Sequence, residues 1–122
     1  MDANHRSTWE AYVASWKAPT LNEKRALFEQ CLAEGCTYSD PLAHTQGWSE
    51  LAAYMAGFHA QVPGGHFETQ RFIAYQNRSL ALWTMRNGEG GVIGDGASYG
   101  EYNDAGRLVK MVGFFDPSGE AA

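Results

Sequence analysis

The chain has little positive charge, little sulfur and no long apolar run, and each shortage excludes a class of protein. Lys and Arg together number nine against 14 Asp and Glu, for a formal net charge of −5. Phosphate backbones are bound by a basic stripe, which nine scattered cations do not make, so no nucleic-acid partner is expected. Anionic membrane surfaces are disfavoured by the same balance. No apolar stretch approaches the ~20 residues needed to span a bilayer, and the opening MDANHRST lacks the apolar core of a signal peptide. The two cysteines, Cys31 and Cys36, are too few for a disulfide framework. They are expected as reduced thiols in a cytoplasmic protein. Gly-x-Ser-x-Gly is missing, and the glycine-rich runs lack the strand-turn-helix setting of a phosphate loop. His59 and His66 flank Pro63-Gly64-Gly65, but no third ligand stands at metal-site spacing. Neither a metal nor a cofactor is expected.

What remains is an ordinary globular composition with one excess. Its 122 residues suit one domain, 1–122, with a single core. Aromatics reach 13%, as four Trp, six Tyr and six Phe. Such an excess fills a tight core or walls an apolar cavity.

Ser7 and Glu10 have the spacing of a helix capping box, and Trp9, Tyr12, Val13 and Trp16 then recur at helical spacing. Thr20 and Glu23 form a second such box, followed by the apolar face Leu27, Phe28, Cys31 and Leu32, with Gly35 as a helix stop. Cys36 to Asp40 is expected to be extended, since Pro41 pushes the preceding residue out of the helical region. Trp48, Leu51, Tyr54, Met55 and Phe58 mark a third helix, ended by Val62-Pro63-Gly64-Gly65. Strand patterns follow at Phe67–Gln76, Ser79–Arg86, Val92–Tyr102 and Arg107–Phe115, the last two joined by a hairpin at Asn103-Asp104-Ala105-Gly106.

Helices first and long strands after predict an α+β fold, three N-terminal helices packed on a strongly curved antiparallel sheet. The result is a cone with an interior pocket, bent at Gly94, Gly96, Gly100 and Gly113. Alternation puts Ala81, Trp83 and Met85 on one face of their strand, and Val109, Met111, Gly113 and Phe115 on one face of theirs. These faces line a cavity or interdigitate as solid core. The sequence leaves both open.

Several features in this order resemble the nuclear transport factor 2-like superfamily, whose fold is shared by ketosteroid isomerase and SnoaL-like polyketide cyclases. They are Trp9-x-x-Tyr12, Tyr38-x-Asp40-Pro41, Gly47-x-x-x-Leu51, Pro63-Gly64 and the strand pair from Ser98 to Phe115. The resemblance covers nearly the whole chain and implies the fold more than the function, since this superfamily hosts isomerases, cyclases, hydrolases, dehydratases and plain binders. It implies that Asp40 is a general base beside a carbonyl and that Tyr12 steadies the oxyanion. Desolvation at an apolar rim strengthens a carboxylate as a base. The plainer roles are a turn cap before Pro41 for Asp40 and core packing for Tyr12. Ser98 stands where the isomerases carry a protonated acid, which argues against steroid isomerisation while leaving proton transfer open.

Trp16, Tyr38, Tyr54, Phe58, Trp83, Met85, Met111 and Phe115 are candidate pocket walls, with ordinary core as the alternative. His44, in the loop after Asp40, is a candidate acid or base or simply solvated. An epoxide-hydrolase arrangement needs inward acids bridged by arginine, and neither Arg71 nor Arg86 has an evident acidic partner. The expected ligand is a small apolar compound. Leu80, Leu82 and Thr84 lie opposite the pocket face and suggest a homodimer through the outer sheet face.

Overall fold

A computed structural model describes residues 2–117 of the chain. Nine elements follow one another: α1 (Asp2–Lys17), α2 (Leu21–Cys31), β1 (Leu32–Ser39), β2 (His44–Gln46), α3 (Gly47–Gln61), β3 (His66–Tyr75), β4 (Arg78–Arg86), β5 (Val92–Tyr102) and β6 (Leu108–Phe114). The strands make one unclosed sheet in the order β2-β1-β6-β5-β4-β3. Strands β3 to β6 form an antiparallel meander, and β2 folds back antiparallel on β1. The junction of β1 with β6 is parallel, so the sheet is mixed rather than wholly antiparallel. The register skips one residue at Gln70 in β3, at Ile93 in β5 opposite Met85 and Arg86, and at Val109 in β6 opposite Glu101 and Tyr102. Each extra residue sharpens the local twist, and together they roll the sheet into a cone. Asp116-Pro117-Ser118-Gly119 reads from sequence as the start of a frayed tail, which from Ser118 onward lies outside the described residues. Among the described residues no helix is long and apolar enough to cross a membrane.

The second capping box forms and the first does not. Thr20 Oγ1 accepts from the Glu23 N–H at 3.2 Å and donates to Glu23 Oε2 at 3.0 Å, starting α2. Ser7, by contrast, is an exposed residue inside α1. The helix runs on toward the N-terminus because His5 is anchored by distant partners. Its ring stacks on Tyr102 with centroids 4.0 Å apart, and its Nε2 lies 2.8 Å from the Gln76 carbonyl. Glu10 instead meets Arg6 at 3.2 Å in an exposed pair, a kind worth little to stability.

Gly35 does not stop α2 either. Leu32 takes extended backbone angles, φ −117° and ψ 139°, and its N–H closes the helix on Phe28 O. Leu32 is 1% exposed and pairs with Leu108. Burial against β6 thus ends the helix before the glycine is reached. On β6 the shift beside Tyr102 rotates the chain, so that Leu108 and Met111 are buried and Val109 is half-buried. The expected inward face of Val109, Met111, Gly113 and Phe115 therefore holds only from Met111 onward.

Two loops share one device. Asn87 Oδ1 accepts from the N–H groups of Glu89 and Gly91, and Asn103 Oδ1 from those of Ala105 and Arg107. Gly90 and Gly106, at φ 87° and 82°, close the two turns.

The helices cover the concave face, where Trp9, Tyr12, Phe28, Leu51, Met55 and Leu108 are core. Leu80 and Leu82 point the other way and are exposed, as are Ile73 and Phe114.

Candidate functional site

The helices do not fill the cone. A cavity of about 430 Å³ lies between α1, α3 and the sheet. Helix α1 contributes Trp9, Tyr12 and Trp16, helix α3 Tyr54 and Phe58, and the sheet Tyr38, Phe67, Trp83, Met85 and Ser98. Asp40 is the one acid on this wall among the described residues.

Asp40 follows β1 directly, and its two oxygens do different things. Oδ1 accepts from the backbone N–H of Leu42 at 2.8 Å and of Ala43 at 2.9 Å, while the Asp40 N–H donates to Ala43 O at 2.9 Å. That is the turn cap that an Asp before proline makes. Oδ2 accepts from the hydroxyls of Tyr38 at 2.6 Å and Tyr54 at 2.7 Å. Such lengths are those of charge-assisted bonds to an ionised oxygen. Burial raises the Tyr38 phenol far above the ordinary tyrosine range, with Tyr12 and the Asp40 bond pushing the same way. Burial followed by the Asp40 bond raises Tyr54 as well. Both phenols therefore hold their protons at neutral pH and act as donors.

Tyr12 lies deeper and is 4% exposed. Burial drives its phenol strongly upward, against a hydrogen bond from the Trp16 side chain, and the Asp40 charge adds to the rise. No hydrogen bond joins Tyr12 to Asp40 among the described residues. On the sheet, Ser98 Oγ accepts from Trp83 Nε1 at 2.9 Å. Its register partner is Gly113. A Cβ on Gly113 would stand 3.3 Å from the Tyr38 hydroxyl and 3.5 Å from Asp40 Cβ. The bare glycine leaves a gap beside the acid.

A sequence profile for the SnoaL-like domain matches residues 9–111, most of the chain and every cavity-lining residue except Gly113 and Phe115. The chain belongs to the SnoaL-like family. A SnoaL-like protein from Agrobacterium tumefaciens, to which isomerase activity is ascribed, superposes with a TM-score of 0.85 at 26% identity, over 93% of this chain and 98% of that one. A protein from Jannaschia sp. CCS1 to which SnoaL-like polyketide cyclase activity is ascribed gives 0.77 at 12%, over 94% and 87%. TerC, crystallised with polyporic acid, gives 0.76 at 13%, over 94% and 93%. The latter two show the shared fold alone. No curated protein matches this chain significantly.

The structure brings most of the expected residues of this SnoaL-like domain onto one cavity wall: Tyr12, Trp16, Tyr38, Asp40, Tyr54, Phe58, Trp83, Met85, Ser98 and Phe115. His44 and Met111 do not join them. His44 sits on β2, exposed, with Nδ1 2.6 Å from Ser39 Oγ. Pairing of β2 with β1 carries it away from the cavity. Met111 is 1% exposed and is packed in the core. Trp9 and Phe67 also line the cavity, although neither is among the pocket walls expected from the sequence. Trp9 precedes Tyr12 and Trp16 by three and seven residues, so helical spacing alone marks it. Arg86 does have an acidic partner, Glu68, at 3.1 Å. The pair is exposed and absent from the cavity wall, so it supplies no inward arginine-bridged acids. His59 Nε2 bonds the Trp16 carbonyl, and His66 Nδ1 lies 3.1 Å from Gly64 O. Among the described residues no group of three or more His, Cys, Asp or Glu converges.

Proposed function

We propose that this SnoaL-like domain is a cofactor-independent isomerase, cyclase or lyase that moves a proton on a small apolar carbonyl compound held in the cone. The observation that carries the reading is the Asp40 carboxylate, the one acid among the described residues on the wall of an aromatic cavity, with Oδ2 turned to two phenols. Aromatic walls hold the ligand by burial of apolar surface. Asp40 receives the proton from carbon, and the Tyr12 hydroxyl donates to the oxygen on which negative charge grows. Oδ2 already holds two donors, so one must yield before a ligand proton arrives. Tyr54 is the one placed to do so, being half-buried where Tyr38 is 7% exposed. The isomerase and cyclase activities ascribed to structural neighbours agree with this class. Turnover of simple enones tests it: Asp40→Asn lowers the rate by about 10²-fold or more, and unchanged turnover removes Asp40 from the chemistry.

A second reading is favoured by one feature, the full occupancy of Asp40 by four donors. On it the same cavity binds an apolar guest without changing it. Guests that raise the melting temperature and are recovered chemically intact support binding over catalysis.

The exposed apolar side chains Ile73, Leu80, Leu82 and Phe114 on the outer sheet face support a homodimer through that face. Monomeric sedimentation at micromolar concentration contradicts it. Two free, buried thiols agree with a reducing, cytoplasmic setting.

A further inference from the structure

A second cavity, of about 420 Å³, lies between the start of α2 and α3 and shares only Ala53 with the Asp40 cavity. The chain as a whole carries a net charge of −5. The wall of this cavity has the opposite sign. Lys24, Arg25 and His59 line it, and among the described residues no acidic side chain does. Thr20 and Leu21 bring in the start of α2, where the helix dipole also favours an anion.

Lys24 is the unusual member, because it is only 3% exposed. Its Nζ donates to the Ser15 carbonyl at 3.4 Å and to the Ala18 carbonyl, capping the end of α1. An ammonium has three protons, and the cap uses two. Among the described residues Lys24 makes no ion pair. The exposed Glu23 carboxylate instead accepts from Thr20 Oγ1 at 3.0 Å. Burial pushes the Lys24 amine down from its ordinary value, and the Glu23 charge opposes this only in part. A lysine this buried is ordinarily paired. Here a proton and a countercharge are both left to be supplied from the cavity.

We propose that this second cavity binds a small amphipathic carboxylate, an aryl or short alkyl acid, whose anionic end pairs with Lys24 and Arg25 while its apolar body lies against Trp48, Ala52 and Ala56. Arg25 is exposed and holds no side-chain partner among the described residues, so its fork is free for a carboxylate. The apolar wall is fixed in place. Trp48 Nε1 donates to the Ala33 carbonyl at 3.0 Å, and the Trp48 ring meets Phe28 with centroids 5.9 Å apart. A bare inorganic anion would leave that wall uncovered, whereas an acid with a hydrocarbon body buries it. The site is separate from the Asp40 carboxylate and does not depend on any proton transfer there.

Calorimetry on the full chain tests phenylacetate and phenylbutanoate against their primary amides, with inorganic phosphate as the bare anion. The indole N–H signals in NMR report where each one binds. At least one of the acids is expected to move the Trp48 signal and to bind about tenfold or more tightly than its amide. Arg25→Gln removes an exposed cation and is expected to weaken the acid about tenfold while leaving the amide unchanged. Ala56→Trp fills the cavity from an exposed helical position and is expected to abolish binding of the acid there. Lys24→Met is expected to weaken the acid as Arg25→Gln does; should loss of the α1 cap unfold the chain, the other two variants decide. Equal affinity for acid and amide overturns the proposal, as does binding that moves the Trp83 signal and not that of Trp48. Affinity untouched by Arg25→Gln and Ala56→Trp, or no binding of either acid, overturns it as well. Phosphate binding as tightly as the acids would overturn the assignment to an amphipathic ligand.

Discussion

Replacing Asp40 by alanine tests whether the carboxylate holds the site together. Its four bonds are unequal. Tyr38 is 7% exposed, so losing its acceptor strands a buried phenol, a loss of about 1–3 kcal/mol. The half-buried Tyr54 can turn to water and loses less. The two backbone N–H groups taken by Oδ1 belong to an outer turn, and loss of a comparable cap costs about 1 kcal/mol. Together these predict a loss of roughly 3 kcal/mol for Asp40→Ala. For a domain of this size that is about a 10 °C fall in melting temperature. Asp40→Asn keeps an oxygen for the turn and obliges the phenols to reorient, so about half the loss is expected. Urea titration with an unchanged m-value measures both. A charge crowded unfavourably into an apolar wall gives the opposite sign, because its removal relieves the crowding. Should Asp40→Ala prove as stable as wild type or more so, the four-bond account is wrong.

Gly96→Ala forces a methyl against Phe114 O and the Trp83 ring, and overpacking of this kind costs about 1–3 kcal/mol. An unshifted melt would show that the ring does not lie there. Thr20→Ala should cost about 1 kcal/mol, whereas Ser7→Ala should be neutral or slightly stabilising, since Ser7 lies inside α1 and alanine is the better helix former. Equal losses at the two positions, by urea titration, would contradict the helix start at Asp2. Alkaline pH should destabilise the fold. Burial pushes Cys36 up to about 11 and Cys31 up to about 12, against about 8.5 in an unfolded chain. The folded state keeps protons that the unfolded state gives up. Their stabilisation is complete below pH ~8.5 and is lost as pH rises through the folded values. Tyr38 and Tyr12, also raised, extend the loss upward from pH ~10. A urea midpoint that stays flat from pH ~8 to ~11 would refute this.

Where local chemistry decides structure, the residues announce it. Thr20 with Glu23, Asn103 with Gly106, and the alternation of buried Ala81 and Trp83 with exposed Leu80 and Leu82 all appear where their spacing puts them. Where a distant partner decides, they do not. Ser7-x-x-Glu10 has the same capping pattern as Thr20-x-x-Glu23, and only the stack of His5 on Tyr102 sets its fate. Gly35 offers a helix stop, and Leu32 is drawn into β1 first by pairing with Leu108. The parallel β1–β6 junction joins strands separated by most of the chain, so no local period encodes it. Leu108 replaces Val109 in the core through one register shift, which an alternation count cannot see. Of the two readings open for His44, acid or base beside Asp40 or simply solvated, its exposed position agrees with the second, because the three residues of β2 turn it outward.

The two sequence readings of Asp40, turn cap and proton acceptor, compete only while its carboxylate is treated as one group. Its oxygens separate them. Oδ1 holds the turn after Pro41, which fixes the plane of the carboxylate, and this plane aims Oδ2 at Tyr38 and Tyr54. A cap therefore serves the cavity by setting a direction that a free side chain would have to find among its rotamers. An acceptor aimed in this way, with its lone pairs occupied, is idle until a donor leaves. Tyr38 is fixed in a strand and buried, and Gly113 makes room for it. Tyr54 rides on α3, half-buried on the cavity wall. On the proton-transfer reading, a guest that displaces the Tyr54 hydroxyl bares Oδ2 as it arrives, so occupancy of the cavity and exposure of the base become one event.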